Sequence, residues 1–317
     1  MIKRPLEQLF FATFRGKQDF AHFSSLDLSE MYEAKKFDGR TVYSPNRTLK
    51  SYLTFLSRIL FGRLPVAEDI VYSYRKGVNV VNAVEKHAHN KYFVQTDIKN
   101  FFQSINRQQI KQTIEDSEHT CPISDLNESL ERILDIVTID GVLPPGYPTS
   151  PAISNACLYK FDQELASVCK EEKIIYSRYA DDLIFSANAI SVTESIIPKA
   201  TKILDEVFMG HLKINESKTK VTLPGQKIRI LGVSILPNGK VTIDGKLKKN
   251  IETCIYYFLR DKSVFIKLMK EADNEKSTKK ISGQLNYINT VDPSFLDKLR
   301  KKYGIATIDQ LLHYSAE

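Results

Sequence analysis

Two adjacent carboxylates stand inside a β-forming run, IIYSRYADDLIFSA, and they restrict the possible folds of this chain more than any other feature. Ile174, Ile175 and Tyr176 precede Tyr179-Ala180-Asp181-Asp182, and Leu183, Ile184 and Phe185 follow it. The run therefore reads as two buried strands meeting at a tight turn. Like charges side by side in an apolar setting are costly unless a cation neutralises them. A divalent ion with oxygen ligands is the simplest such cation, and Mg²⁺ held by a couple of carboxylates plus substrate phosphates is the usual arrangement for phosphoryl transfer.

A second carboxylate supplies the context. In KYFVQTDIKNFFQSI the alternation of Tyr92, Val94 and Thr96 with Phe93 and Gln95 predicts a strand ending at Asp97, with a helix starting near Ser104 to Asn106. Alone, Asp97 would read as an ordinary strand-end or helix-capping aspartate. Beside a hairpin tipped by Asp-Asp, it makes a third carboxylate around a pair of metals. One ion of such a pair activates an attacking oxygen and the other stabilises the leaving oxygen.

The rest of the chain is compatible with that chemistry. At 317 residues and 42% hydrophobic content it can bury a large core in two or three subdomains. A net charge of +7 points to a polyanionic partner. Cys121, Cys157, Cys169 and Cys254 form no C-x-x-C pair and are read as reduced thiols. MIKRPLEQLFFATF lacks the features of a signal peptide, and no stretch of eighteen apolar residues occurs, so no membrane partner is expected. Phe37-Asp38-Gly39-Arg40 predicts a hairpin turn, and RTLKSYLTFLSRILFG an amphipathic helix with Leu49, Leu53, Leu56 and Leu60 on one side. AISNACLYKFDQELASVC has helical spacing, while KIRILGVSILPNGKVTI predicts two strands joined at Pro237-Asn238-Gly239.

Four segments in this order resemble the motifs of reverse transcriptases. Asp97-Ile98-Lys99-Asn100-Phe101-Phe102 is similar to motif A, Leu143 to Asn155 (LPPGYPTSPAISN) to motif B, Tyr179 to Asp182 to motif C, and Asn215-Glu216-Ser217-Lys218-Thr219 to motif D. The likeness is greatest to bacterial retron-type reverse transcriptases. It implies an α+β, right-hand polymerase fold with fingers (1–90), a palm carrying an antiparallel sheet (91–241, with a fingers insertion at about 106–140) and a helical thumb (242–317).

By the same resemblance Asp97, Asp181 and Asp182 hold two Mg²⁺ ions, with Mn²⁺ as a substitute, and Lys218 donates a proton to pyrophosphate. Phe102 lies under the sugar of a dNTP and excludes a 2′-hydroxyl, with Phe101 in the core. Ile98, Gly146, Ser150 and Arg40 are the other nucleotide-binding candidates. Arg75, Lys76, His87, Lys246, Lys248 and Lys249 are the RNA-binding candidates, the lysines lying in a segment, 242–317, with fourteen Lys/Arg against ten Asp/Glu. The implied partners are a structured noncoding RNA acting as template and primer, its RNA-linked DNA product, dNTPs, and an effector protein in a cytoplasmic antiphage defence system.

Departures from the family pattern keep other readings open. Pro145 stands where the family usually has Gln, three residues rather than two separate Ala83 from His87, and Ile230-Leu231-Gly232 replaces Val-Thr-Gly. The last change leaves room for a defence-associated reverse transcriptase of another lineage. A non-catalytic RNA-binding scaffold would have eroded the metal carboxylates, and all three are present.

Overall fold

The computed structural model describes residues 2–37, 39–271 and 277–313, with side chains for all of these except 269–271 and 277–280. Asp38, at the expected hairpin turn, lies outside the described residues. The chain divides into two compact units: one runs to Gly77 and resumes over Tyr92–Val221, and the other joins Val78–Lys91 to the chain from Thr222 onward.

In the first unit β1 (Tyr32–Phe37) and β2 (Arg40–Pro45) form the expected antiparallel hairpin, with Phe37 opposite Arg40. Asn46 then caps the helix Arg47–Ile59, its side chain accepting from the Leu49 amide at 3.0 Å. That helix buries Leu49, Leu53 and Leu56 as their spacing requires, together with Tyr52 and Phe55. Phe10 sits among the rings of Phe14, Phe20, Phe23, Tyr52 and Phe55, with centroids 4.5 to 5.9 Å away, so aromatic packing fixes the N-terminal helices onto this one.

The central sheet contains β3 (Tyr92–Asp97), β4 (Ile175–Tyr179), β5 (Asp182–Ala187) and β6 (Lys220–Thr222), in the order β4-β5-β3-β6. Its strands are mostly buried on both faces because helices, among them Tyr159–Glu171 and Val192–Phe208, pack against it. The α+β class read from the sequence is what forms. The long helix expected after the proline-rich loop is two helices, Ser150–Cys157 and Tyr159–Glu171, interrupted at Leu158.

The second unit holds a three-stranded antiparallel sheet, β7 (Ile228–Ile230), β8 (Val233–Ile235) and β9 (Val241–Ile243). Two strands were expected there. The first divides because Leu231 and Gly232, at φ 51° and 82°, reverse the chain and pair Ile230 with Val233. Asn238-Gly239 makes the second turn as predicted, the Gly239 amide donating to Leu236 O at 2.8 Å. The helices Val80–Glu85, Gly245–Arg260 and Pro293–Tyr303 belong to the same unit. Among the described residues no helix is long and apolar enough to cross a membrane.

Candidate active site

Antiparallel pairing of β3 with β5 sets Asp97 directly opposite Asp182, and pairing of β4 with β5 sets Tyr179 opposite Asp182. Ala180 and Asp181 are left as the two-residue turn. The Ile98 amide donates to Asp181 O at 3.0 Å, which draws the turn against the end of β3. Three carboxylates distant in sequence are thereby gathered at one end of the sheet.

Their electrostatics call for positive charge. Burial pushes the Asp182 carboxyl up to about 6, reinforced by Asp181 and Asp97, with Lys218 opposing. Burial likewise raises Asp181, as does the charge of Asp97, against the pull of Arg40 and Lys218. Asp97 Oδ2 accepts from Lys218 Nζ at 2.6 Å, but its buried Oδ1 has no hydrogen-bond partner. An orphaned, buried carboxylate oxygen beside two carboxylates held above their usual range suits a divalent cation. Among the described residues no three His, Cys, Asp or Glu side chains are grouped so as to hold a metal ion by themselves. Such a donor set fits an ion that takes its remaining ligands from substrate phosphates and water.

Asp97 and Asp181 line a cleft of about 780 Å³ together with Arg40, Tyr74, Ile98, Phe102, Pro145 and Lys218, and Asp182 lies behind them in β5. Phe101 is buried and Phe102, 5.2 Å away between ring centroids, is partly buried, and both line the cleft. Ile98 lines the cleft but is buried, at 1% exposure. Lys218 follows Asn215, whose amide donates to Asp97 O at 2.8 Å, so the segment carrying the lysine is pinned to the strand end.

Several expected contacts are absent. Ser150 is buried and donates to Pro144 O at 2.6 Å, so its hydroxyl serves the loop and is not offered to a nucleotide. Gly146, at φ +101°, packs against β2 and does not line the cleft; a Cβ there would lie 2.4 Å from Tyr43 O. Pro145 faces the cleft instead, and its carbonyl accepts from the Tyr43 amide at 2.8 Å. Arg75 is turned inward, with Nη1 donating to Glu68 O and Val71 O at 2.7 Å each. Lys76 is exposed.

In the second unit His87 is fully buried, and burial, reinforced by the Lys86 charge, pushes its imidazole down to about 3. It is neutral at physiological pH and out of reach of a phosphate, which overturns the RNA contact expected of it. Lys248 is also turned to structural use: it contacts Asp292 at 2.8 Å and covers the Phe295 ring at 4.7 Å. Although burial opposes it, hydrogen bonds from Lys248, Thr242 and Ser294 hold Asp292 at about 2. Lys246 and Lys249 are exposed on the helix Gly245–Arg260.

Sequence reasoning missed the support beneath the Ala180-Asp181 turn. Arg178, completely buried, donates from Nε to Asp162 Oδ1 at 2.9 Å and from Nη2 to Asp162 Oδ2 at 2.6 Å. Its Nη1 reaches Asn155 Oδ1 at 3.1 Å and Ala180 O at 3.0 Å. Asn155 Nδ2 donates to Ser73 O at 3.0 Å, and the Ala180 amide donates to Ser73 Oγ at 2.7 Å. Tyr74, the next residue, has φ 58° and a hydroxyl raised by burial and by the nearby Asp181 charge. The available signal was an arginine next to the end of a strand expected to be buried.

Comparison with known proteins places this geometry. The family described as reverse transcriptase (RNA-dependent DNA polymerase) matches residues 40–235. The retron Ec83 reverse transcriptase of Escherichia coli is 29% identical over 253 residues, covering 78% of this chain and 77% of that protein. The retron Ec73 reverse transcriptase of Escherichia coli is 29% identical over 289 residues, covering 85% of each. The structure of apo telomerase from Candida Tropicalis is similar with a TM-score of 0.45 at 13% identity, over 84% of this chain and 52% of that one.

Proposed function

Since the chain belongs to the reverse transcriptase (RNA-dependent DNA polymerase) family, we propose that this polymerase copies one structured noncoding RNA, serving as template and primer, into RNA-linked single-stranded DNA. Likeness to two retron reverse transcriptases over most of their length supports the retron context. In this reading residues 1–90 act as fingers, 91–241 as palm and 242–317 as thumb, with residues 78–91 packing in the unit that contains the thumb. The protein acts in the cytoplasm with an effector protein, in antiphage defence.

The observation that carries the catalytic part is the register pair Asp97 and Asp182 with Asp181 at the adjoining turn, at one end of an open cleft. A primer hydroxyl attacks the α-phosphorus of a dNTP, forming the new phosphodiester bond and releasing pyrophosphate. Asp97, Asp181 and Asp182 would hold two Mg²⁺ ions, or Mn²⁺, which when bound supply the charge that activates the attacking oxygen and neutralises the triphosphate. Arg40 binds the triphosphate from β2. Lys218, anchored beside Asp97, is the acid that protonates the leaving pyrophosphate as its bond breaks. Exposed Lys76, Lys246 and Lys249 contribute phosphate contacts that give affinity without reading sequence.

Phe102 excludes ribonucleotides by occupying the space of a 2′-hydroxyl. Phe102→Ala is expected to lower the ratio of kcat/KM for dNTP over rNTP by about 10- to 100-fold, measured by single-nucleotide incorporation. An unchanged ratio would remove Phe102 from that role.

The overall reading is tested by extracting nucleic acid from the purified protein and from its Asp181→Asn/Asp182→Asn variant, then digesting with RNase or DNase. DNA that stays joined to RNA in the wild type and is missing from the variant is the expected result. RNA without DNA in both samples, even after dNTPs and Mg²⁺ are supplied, would overturn the polymerase assignment. DNA not linked to RNA would favour a defence-associated reverse transcriptase of another lineage.

A further inference from the structure

We propose that Arg178 is a positioning residue for the catalytic carboxylates, holding the Ala180 carbonyl directly and, by way of Asn155 and Ser73, the Ala180 amide. The proposal rests on the assignment of Asp181 and Asp182 to catalysis. Ala180 has φ 56°, a left-handed conformation that a non-glycine residue holds only under constraint from its surroundings. The constraint is visible on each side. The amide of Ala180 is held by Ser73 Oγ and its carbonyl by Arg178 Nη1. That carbonyl belongs to the peptide leading into Asp181, so its orientation fixes where the Asp181 side chain emerges and how Asp182 enters β5.

The guanidinium can hold the carbonyl only because its other donors are taken. Asp162 occupies one edge of the fork and Asn155 shares Nη1, and Asn155 also ties back to Ser73. The result is a closed ring of bonds joining the turn, the segment at Ser73, and the two helices Ser150–Cys157 and Tyr159–Glu171. Stability does not explain it. A buried ion pair rarely stabilises a fold more than apolar side chains of equal volume would. Lysine could not replace Arg178, since a single ammonium cannot span the two Asp162 oxygens while reaching Asn155 and Ala180 O.

The test uses the full chain with Arg178→Met/Asp162→Leu, an apolar exchange, and Arg178→Lys. Because the double variant also leaves the buried Tyr176 hydroxyl without Asp162 Oδ1, its acceptor at 2.9 Å, it is expected to melt several degrees below wild type yet stay folded, while kcat falls about 100-fold and KM for the RNA stays unchanged. Binding of Mn²⁺, followed by electron paramagnetic resonance without substrate, is expected to weaken about tenfold. Arg178→Lys should show the same loss of kcat. A folded double variant with wild-type kcat and Mn²⁺ affinity would overturn the proposal.

Should the double variant not fold, Ser73→Ala removes only the acceptor of the Ala180 amide. About a tenfold loss of kcat with weaker Mn²⁺ binding is then expected, and wild-type values for both would overturn the proposal. Asp181→Asn run alongside separates the two levels of inference. Wild-type synthesis in that variant would overturn the catalytic assignment and the proposal with it, whereas failure of the proposal alone leaves Asp181→Asn inactive.

Discussion

Asp182→Asn is expected to lower RNA-directed DNA synthesis by a factor on the order of 10³ or more while raising the melting temperature of the metal-free protein. The two effects have opposite signs because the carboxylate that the reaction needs is one the fold tolerates poorly. Asp182 is half-buried next to Asp181 and Asp97, and its folded pKa of about 6 lies above the ordinary aspartate value of 3.8. A group shifted in that direction leaves the fold undisturbed below the unfolded pKa, where it is protonated in both states. It weakens the fold progressively as pH rises from about 4 to 6, and the penalty then persists at higher pH. Wild-type protein without divalent metal should therefore lose melting temperature over that range, and Asp182→Asn should lose less. At pH 7.5 the variant is expected to melt about 2–4 °C higher than wild type. Mg²⁺ should stabilise wild type and have little effect on the variant. Scanning calorimetry with and without Mg²⁺ measures all of this, and a variant less stable than metal-free wild type would show that the three carboxylates do not repel one another as described.

Gly146→Ala is the second substitution with a large expected effect, through sterics rather than charge. The added Cβ would lie 2.4 Å from Tyr43 O and 2.8 Å from Val42 Cγ1, at a backbone φ of +101° that alanine adopts only under strain. Retreat is blocked because the Tyr43 amide bonds Pro145 O at 2.8 Å, which fixes the two backbones at their present separation. A cost of about 3–5 kcal/mol is expected, or a fall in melting temperature of roughly 10 °C. Protein that remains folded at low temperature should show a raised KM for dNTP, because β2 delivers Arg40 to the cleft and the proline-rich loop delivers Pro145. Melting within 2 °C of wild type would mean that the loop and β2 separate easily.

The features legible in the sequence were those with a local pattern. Alternation located β3 and placed Asp97 at its end, and hydrophobic flanks located the hairpin with Asp181 and Asp182 at its tip. Phe101 was expected in the core and Phe102 at the cleft; Phe101 is the more buried of the two, but both line the cleft. The illegible features join positions far apart or depend on burial. Ser73, Asn155, Asp162 and Arg178 meet only in three dimensions, so no periodicity reports them. His87 shows the converse: a familiar spacing marked the histidine, but spacing carries no information about solvent access. Leu231-Gly232 is a turn that β-branched neighbours on both sides disguised as continuous strand.

The excursion of residues 78–91 out of the first unit bears on how the chain is made. Val78–Lys91 leaves the ribosome long before the strands and helices beyond Thr222 with which it packs. At typical synthesis rates roughly 130 residues separate the two, a delay on the order of 10 s. Ala83, Val84 and His87, all buried in the finished protein, spend that interval without their final partners. Tyr92, the first residue of the strand that bears Asp97, follows immediately. Nascent chains are therefore exposed to misassembly and chaperone capture at the entrance to β3, and only synthesis of the strands and helices beyond Thr222 ends that exposure.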